Sequence, residues 1–136
     1  MQSKFGHIQF NIQAAHMPFY KDLLAFLGWK TIVAAEDVLG VVDAHGGSLW
    51  FSGHVKDVGN DYDGPGMNHF AISVTQQTDV DAAATYLREQ GLALLFDTPQ
   101  HRAEFSQGPE HTYYQVMFES PDRILLEVVY IGPKSA

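Results

Sequence analysis

The sequence contains no cysteine, which removes disulfides, zinc ribbons and thiol nucleophiles together. Any bound metal would therefore rest on nitrogen and oxygen ligands. Basic side chains are scarce as well: 8 Lys and Arg stand against 16 Asp and Glu, a formal charge of -8. That balance repels phosphate backbones and anionic lipid, and no local basic patch offsets it, so neither nucleic acid nor a membrane surface is expected as a partner. No apolar run is long enough to span a bilayer, and the opening MQSKFGHIQF has no signal-peptide core. The expected location is cytoplasmic. No phosphate loop or nucleophile elbow is present either. What remains is an ordinary globular composition, 46% apolar and 18% charged over 136 residues. A chain of that length is one domain's worth and buries roughly 68% of its unfolded surface.

Within it the chain repeats itself. Residues His7 to Ile12 and His69 to Val74 each begin with a histidine and place an apolar residue at every second position, the pattern of a half-buried strand. An apolar stripe follows each: Phe19, Leu23, Leu24, Phe26 and Leu27 in the first case, Val80, Ala83, Ala84 and Leu87 in the second. Helices are expected over Pro18–Leu27 and Asp79–Gln90, the second opened by Thr78-Asp79, with Gly28 and Gly91 as their stops. Strands are expected at 31–34, 38–43 and 48–55 in the first half and at 92–96, 112–118 and 124–131 in the second. Ser120 to Arg123 forms the last hairpin turn. The expected organisation is α+β: two βαβββ modules, 1–55 and 67–136, joined by the glycine- and aspartate-rich linker 56–66. Thr98 to Glu110, which contains His101, Arg102 and Phe105, reads as a long loop and a candidate lid.

Strand alternation then sorts the side chains. Ile8, Phe10 and Ile12 face the helix, which leaves His7, Gln9 and Asn11 on the other face; Phe70, Ile72 and Val74 likewise leave His69, Ala71 and Ser73. The last strand is apolar on both sides except for Glu127, and an unpaired carboxylate there would be costly. His7, His69 and Glu127 thus make a candidate 2-His-1-carboxylate metal set. Either histidine alone reads more readily as a satisfied surface or core residue than as a ligand, and the matching positions in the two modules favour the set. Trp50, Ser52 and His54 share one face of the first module's last strand and, with Gln9 and Gln115, are candidates to line a substrate pocket. Tyr113 or Tyr114 can reach the site as a hydrogen-bond donor or acid, the alternative being core packing. His16, before a helix, and His45, in a glycine turn, read as structural.

Taken together, GHIQFNI, Phe19-Tyr20 with Leu27-Gly28-Trp29, NHFAISV and YYQVMFESPDRILLEVVY resemble the vicinal oxygen chelate superfamily of glyoxalases, bleomycin resistance proteins and extradiol dioxygenases, over almost the whole chain. The resemblance implies curved mixed sheets forming a metal-binding cup, with His7, His69 and Glu127 as ligands of one divalent ion (Fe, Mn, Ni or Zn). It also implies a homodimer, a small oxygen-chelating substrate, and either lyase or isomerase chemistry or ring-opening dioxygenation, with Tyr113 or His54 moving the proton. Two departures stand out. Ser120 and Arg123 replace the usual ends of the Asp-Pro-Asp-Gly turn, which a type I turn tolerates. Trp50 stands where family members with glyoxalase I activity carry a fourth ligand, a glutamate, so that activity is not expected. A phosphonate substrate is disfavoured by the shortage of Lys and Arg. The alternative is a non-catalytic drug-binding protein of the bleomycin-resistance type.

Overall fold

The computed structural model describes residues 1–135. The chain divides into two compact units, Met1–Gly59 and Asn60 onward. The first contains β1 (His7–Asn11), α1 (Met17–Phe26), β2 (Lys30–Ala34), β3 (Val38–Val42) and β4 (Ser48–Ser52). The second repeats the order with β5 (Phe70–Ser73), α2 (Gln77–Glu89), β6 (Leu95–His101), β7 (His111–Glu119) and β8 (Leu125–Pro133). Each unit has one four-stranded mixed sheet, ordered β1-β4-β3-β2 in the first and β5-β8-β7-β6 in the second. In both, the first strand runs parallel to the last and the other pairs are antiparallel. The expected α+β repeat of βαβββ modules is therefore what the chain forms.

Both helices end in the same way. The amides of Gly28 and Trp29 bond back to Ala25 and Leu24, and those of Gly91 and Leu92 to Arg88 and Leu87, each pair forming a Schellman motif. The motif needs a left-handed residue at its turn, which glycine supplies at φ 90° and 81°. The start of α2 lies two residues before the expected Asp79. Gln76 is the N-cap, and Asp79 reaches back to its amide at 3.0 Å as the third helical residue of a capping box.

One face of each sheet is buried under its helix. In the first unit Tyr20, Leu23 and Leu24 of α1 and Leu39, Val41, Leu49 and Phe51 of the sheet are all buried. The Tyr20 and Phe51 rings lie 4.7 Å apart, and Phe10 stacks on Phe51 at 5.1 Å. In the second, Val80, Ala83, Ala84 and Leu87 cover Val116, Phe118 and Val128. Each such Val, Leu or Phe side chain contributes about 1.5–3 kcal/mol by leaving water.

The second half of the chain corrects one expectation. Thr98 to His101 are not loop but the greater part of β6, which starts at Leu95 instead of Leu92, and Ala103–Phe105 form a 3-10 turn. Pro99 concealed the strand, since proline is barred from central strands but tolerated at an edge, and β6 is the edge of its sheet. Phe96 and Asp97 both have left-handed φ, near 57°, and shift the β6–β7 register between Leu95 and Gln100. Thr98 Oγ1 secures this irregularity by donating to the Leu95 carbonyl and accepting from the Met117 amide.

On the face of the first sheet away from α1, Gly40 of β3 stands opposite Trp50 of β4. A Cβ at Gly40 would lie 2.6 Å from the indole, so the ring lies directly against the neighbouring strand. The indole Nε1–H donates to Ser48 Oγ at 3.1 Å, which fixes the orientation of the ring. Gly40→Ala is expected to lower stability by about 1–3 kcal/mol through overpacking. Urea unfolding, and Trp50 emission in a Trp29→Phe background, would check this; an unchanged midpoint and spectrum would contradict it.

Candidate functional site

Glu127 is the buried charge of the second unit, 1% exposed. It sits in β8 opposite Met117 of β7 and Ala71 of β5. Gln115 and Tyr113, two and four residues from Met117, share its face and reach the carboxylate diagonally. Tyr113 Oη–H donates to Oε1 at 2.6 Å and Gln115 Nε2–H donates to the same oxygen at 2.7 Å. Oε2 is left to His69, whose Nε2 lies 3.1 Å away. Burial, then the bond to Glu127, push the Tyr113 hydroxyl well above its ordinary range. It therefore acts as a donor at neutral pH and not as a base.

The tautomer of His69 follows from its other side. Asn68 Nδ2–H donates to the Tyr62 carbonyl at 3.0 Å, which turns Asn68 Oδ1 toward His69 Nδ1 at 2.7 Å. Nδ1 therefore carries a proton, and Nε2 faces a carboxylate oxygen. Two acceptors at 3.1 Å repel unless a proton or a cation lies between them. A second ring nitrogen tied to an amide oxygen is also what a metal-binding histidine requires. The pair His69 and Glu127 thus fits a divalent cation by its donor chemistry. Within each unit taken by itself, among the described residues, no three His, Asp or Glu side chains form a metal-holding group.

The segment after β6 serves the same carboxylate. Arg102 Nε–H donates to Gln115 Oε1 at 3.0 Å, which commits the amide's NH2 end to Glu127. Its Nη2–H donates to the Phe96 carbonyl, presented by the two left-handed residues. Phe105 packs edge-on against the Tyr113 ring at 5.3 Å. His101 instead binds Thr112 Oγ1 at 2.6 Å. Asn68, Tyr62 and the Arg102–Gln115 link carry no spacing signal in the sequence, because each depends on contacts across strands or loops.

The remaining candidates lie in the first unit. His7 and Gln9 are exposed on β1. Gln9, Trp50, Ser52 and His54 line a cavity of about 330 Å³ together with Asp37, from the turn between β2 and β3. His54 lies beyond the end of β4, and its Nε2 is 2.5 Å from Asp37 Oδ2. Asp37 had no place in the sequence reading. His16 ends a 3-10 turn, and the His45 amide is held by Asp43 at 2.8 Å. Tyr114 faces away from Glu127, toward α2.

No protein-family model and no curated relative matches the sequence. Solved structures do match in fold. A Bacillus halodurans protein described provisionally as a glyoxalase is 24% identical, with 95% of this chain and 96% of that one covered at a TM-score of 0.76. A glyoxylase/bleomycin resistance protein/dioxygenase domain from a Frankia species is 22% identical, covering 96% and 99%, at 0.70. The fosfomycin resistance protein FosX from Listeria monocytogenes, solved with Mn(II) and sulfate, is 15% identical, covering 96% and 91%, at 0.64. The chain has the vicinal oxygen chelate fold. Among the described residues, no helix is long and apolar enough to cross a membrane.

Tyr114 provides a pH-dependent check on the geometry. Its hydroxyl donates to Asp81 at 2.6 Å, and burial, then that bond, push its pKa from 10.0 up to about 12. The folded chain therefore favours the protonated phenol, and this contribution is complete below pH 10 and is lost as pH rises through 12. Tyr114→Phe should cost at most about 1 kcal/mol at neutral pH, because the bond is solvent-exposed. The difference from wild type should vanish at strongly alkaline pH in urea titrations; a constant difference would contradict the assignment.

Proposed function

We propose that the chain is a metal-dependent enzyme acting on a small, oxygen-bearing substrate, by lyase, isomerase or ring-opening dioxygenase chemistry. The observation that carries this reading is the oriented His69: its Nε2 lies 3.1 Å from a buried carboxylate oxygen while Asn68 Oδ1 engages Nδ1 on the other side of the ring. His69 and Glu127 would hold the ion, with His7 as the third ligand, and Fe, Mn, Ni and Zn all suit such a set. A divalent ion there supplies Lewis acidity toward an oxygen that gains negative charge. Around it, Tyr113 and Gln115 hold Glu127 in place and in register. In the first unit, Gln9, Trp50 and Ser52 would line the substrate pocket and His54 would move a proton.

Ordinary glyoxalase I activity is not expected, because an indole at position 50 can neither bind the ion nor take a proton. The substrate class that suits an indole surface is flat or apolar. The working form we propose is a homodimer in the cytoplasm, since each unit leaves two sheet edges without a partner strand of its own. Light scattering at micromolar concentration should give twice the chain mass, and a monomer would count against it.

Protein purified without a histidine tag should contain one divalent ion per chain by elemental analysis. His69→Ala and Glu127→Ala should abolish it, and Asn68→Leu should weaken binding by about 10–100-fold by freeing the ring that Asn68 orients. Full occupancy in both alanine variants would overturn the metal assignment.

A further inference from the structure

The first unit holds a second grouping of chemistry-bearing side chains, which owes nothing to His69 or Glu127. Its parts are the Asp37–His54 pair at 2.5 Å, the Trp50 indole fixed by Ser48 and Gly40, and the cavity of about 330 Å³ that all of these except Gly40 and Ser48 line. Asp37 accepts through Oδ2, which selects the tautomer of the neutral His54 ring with its proton on Nε2. Nδ1 is then the lone-pair nitrogen. The backbone keeps the partners together: the Gly53 amide donates to the Asp37 carbonyl at 2.9 Å, one residue before His54, and the His54 amide lies 3.4 Å from Ser52 Oγ. His54 is 77% exposed and Asp37 47%. In so open a position the Asp37–His54 contact adds little to stability, whereas an exposed imidazole beside a cavity is free to meet a ligand.

We infer that Asp37 and His54 form a proton-accepting dyad for a planar ligand bearing a weakly acidic O–H, an enol or a phenol, seated on the Trp50 indole. The ring of such a ligand stacks on the indole while its O–H faces His54. The ligand oxygen gives its proton to Nδ1, the ligand becomes an oxyanion, and the imidazolium charge is balanced by Asp37 across the Nε2–H bond. His54 touches the ligand; Asp37 is a positioning residue that sets the tautomer. The inference rests on the proposed function only in assigning this cavity to the substrate.

The test uses the full chain in the Trp29→Phe background, so that Trp50 is the one remaining tryptophan, and after treatment with chelator, so that the metal reading is not involved. The probes are 4-nitrophenol, whose neutral and ionised forms absorb differently, and nitrobenzene, which cannot ionise. Both should quench Trp50, and 4-nitrophenol, at a pH where the free probe is mainly neutral, should acquire the ionised spectrum on binding. His54→Gln should remove that spectrum and weaken 4-nitrophenol by about tenfold while leaving nitrobenzene unchanged. Asp37→Asn should reduce the ionised fraction without loss of quenching, and Asp37→Glu should restore part of it. The inference is overturned if neither probe quenches Trp50, if His54→Gln keeps the ionised spectrum, or if Asp37→Asn behaves as wild type. Unaltered circular dichroism would show that the exposed substitutions leave the fold intact.

Discussion

A carboxylate that is 1% exposed inside a β-sheet must be solvated by the protein itself. Glu127 imposes that requirement on the second unit, and much of the unit's irregular structure serves it. Tyr113 and Gln115 provide two donors to one oxygen, Arg102 fixes which end of the Gln115 amide points inward, and Phe96 and Asp97 adopt left-handed φ beside the carbonyl that anchors Arg102. Left-handed conformations of this kind cost roughly 1–2 kcal/mol each in a residue with a Cβ. That strain sits in a strand edge next to the carboxylate's network, where bulges and turns commonly re-aim a side chain. Residues 60 to 68 attach to the same unit. Asn60 donates to the Arg123 carbonyl, and Tyr62 binds Glu119 through its hydroxyl and Asn68 through its carbonyl.

Much of the fold could be read from local pattern. The paired histidine-led strands, the apolar stripes and the stop glycines Gly28 and Gly91 are short-range features, and each maps onto an element or a cap. Register on the site face was legible as well, since alternation alone put His69, Ala71 and Ser73 on one side and Glu127 among apolar neighbours. Pro99 misled because its effect depends on whether a strand lies at an edge, which is a property of the sheet and not of the residue. The same holds for the side-chain partners. Asp37, Asn68 and Arg102 act on His54, His69 and Gln115, and of these only the neighbours Asn68 and His69 lie close in sequence. Even there the decisive contact is with Tyr62. Tyr113 and Tyr114 could not be told apart by composition, although adjacent strand residues must take opposite faces, and they bind Glu127 and Asp81 respectively.

The two units use one topology for different ends. At its last strand the second carries a buried carboxylate held by donors on the neighbouring strand. The first carries an indole at Trp50, and its acid, Asp37, comes from a turn instead of the sheet. A repeat of backbone therefore does not repeat the chemistry, because the face turned from the helix is free to vary while the buried face is held by packing.

Trp50 and Gly40 also bear on how this cavity can change over evolution or by design. Replacing the indole alone to admit a larger ligand would leave a glycine uncovered in mid-strand, a position that costs about 0.5–1 kcal/mol relative to alanine. Adding a side chain at Gly40 alone meets the ring. Neither residue has a neutral single step available, so variation in the floor of the cavity is expected to proceed by paired exchange, and the two positions should co-vary wherever this arrangement of strands is kept.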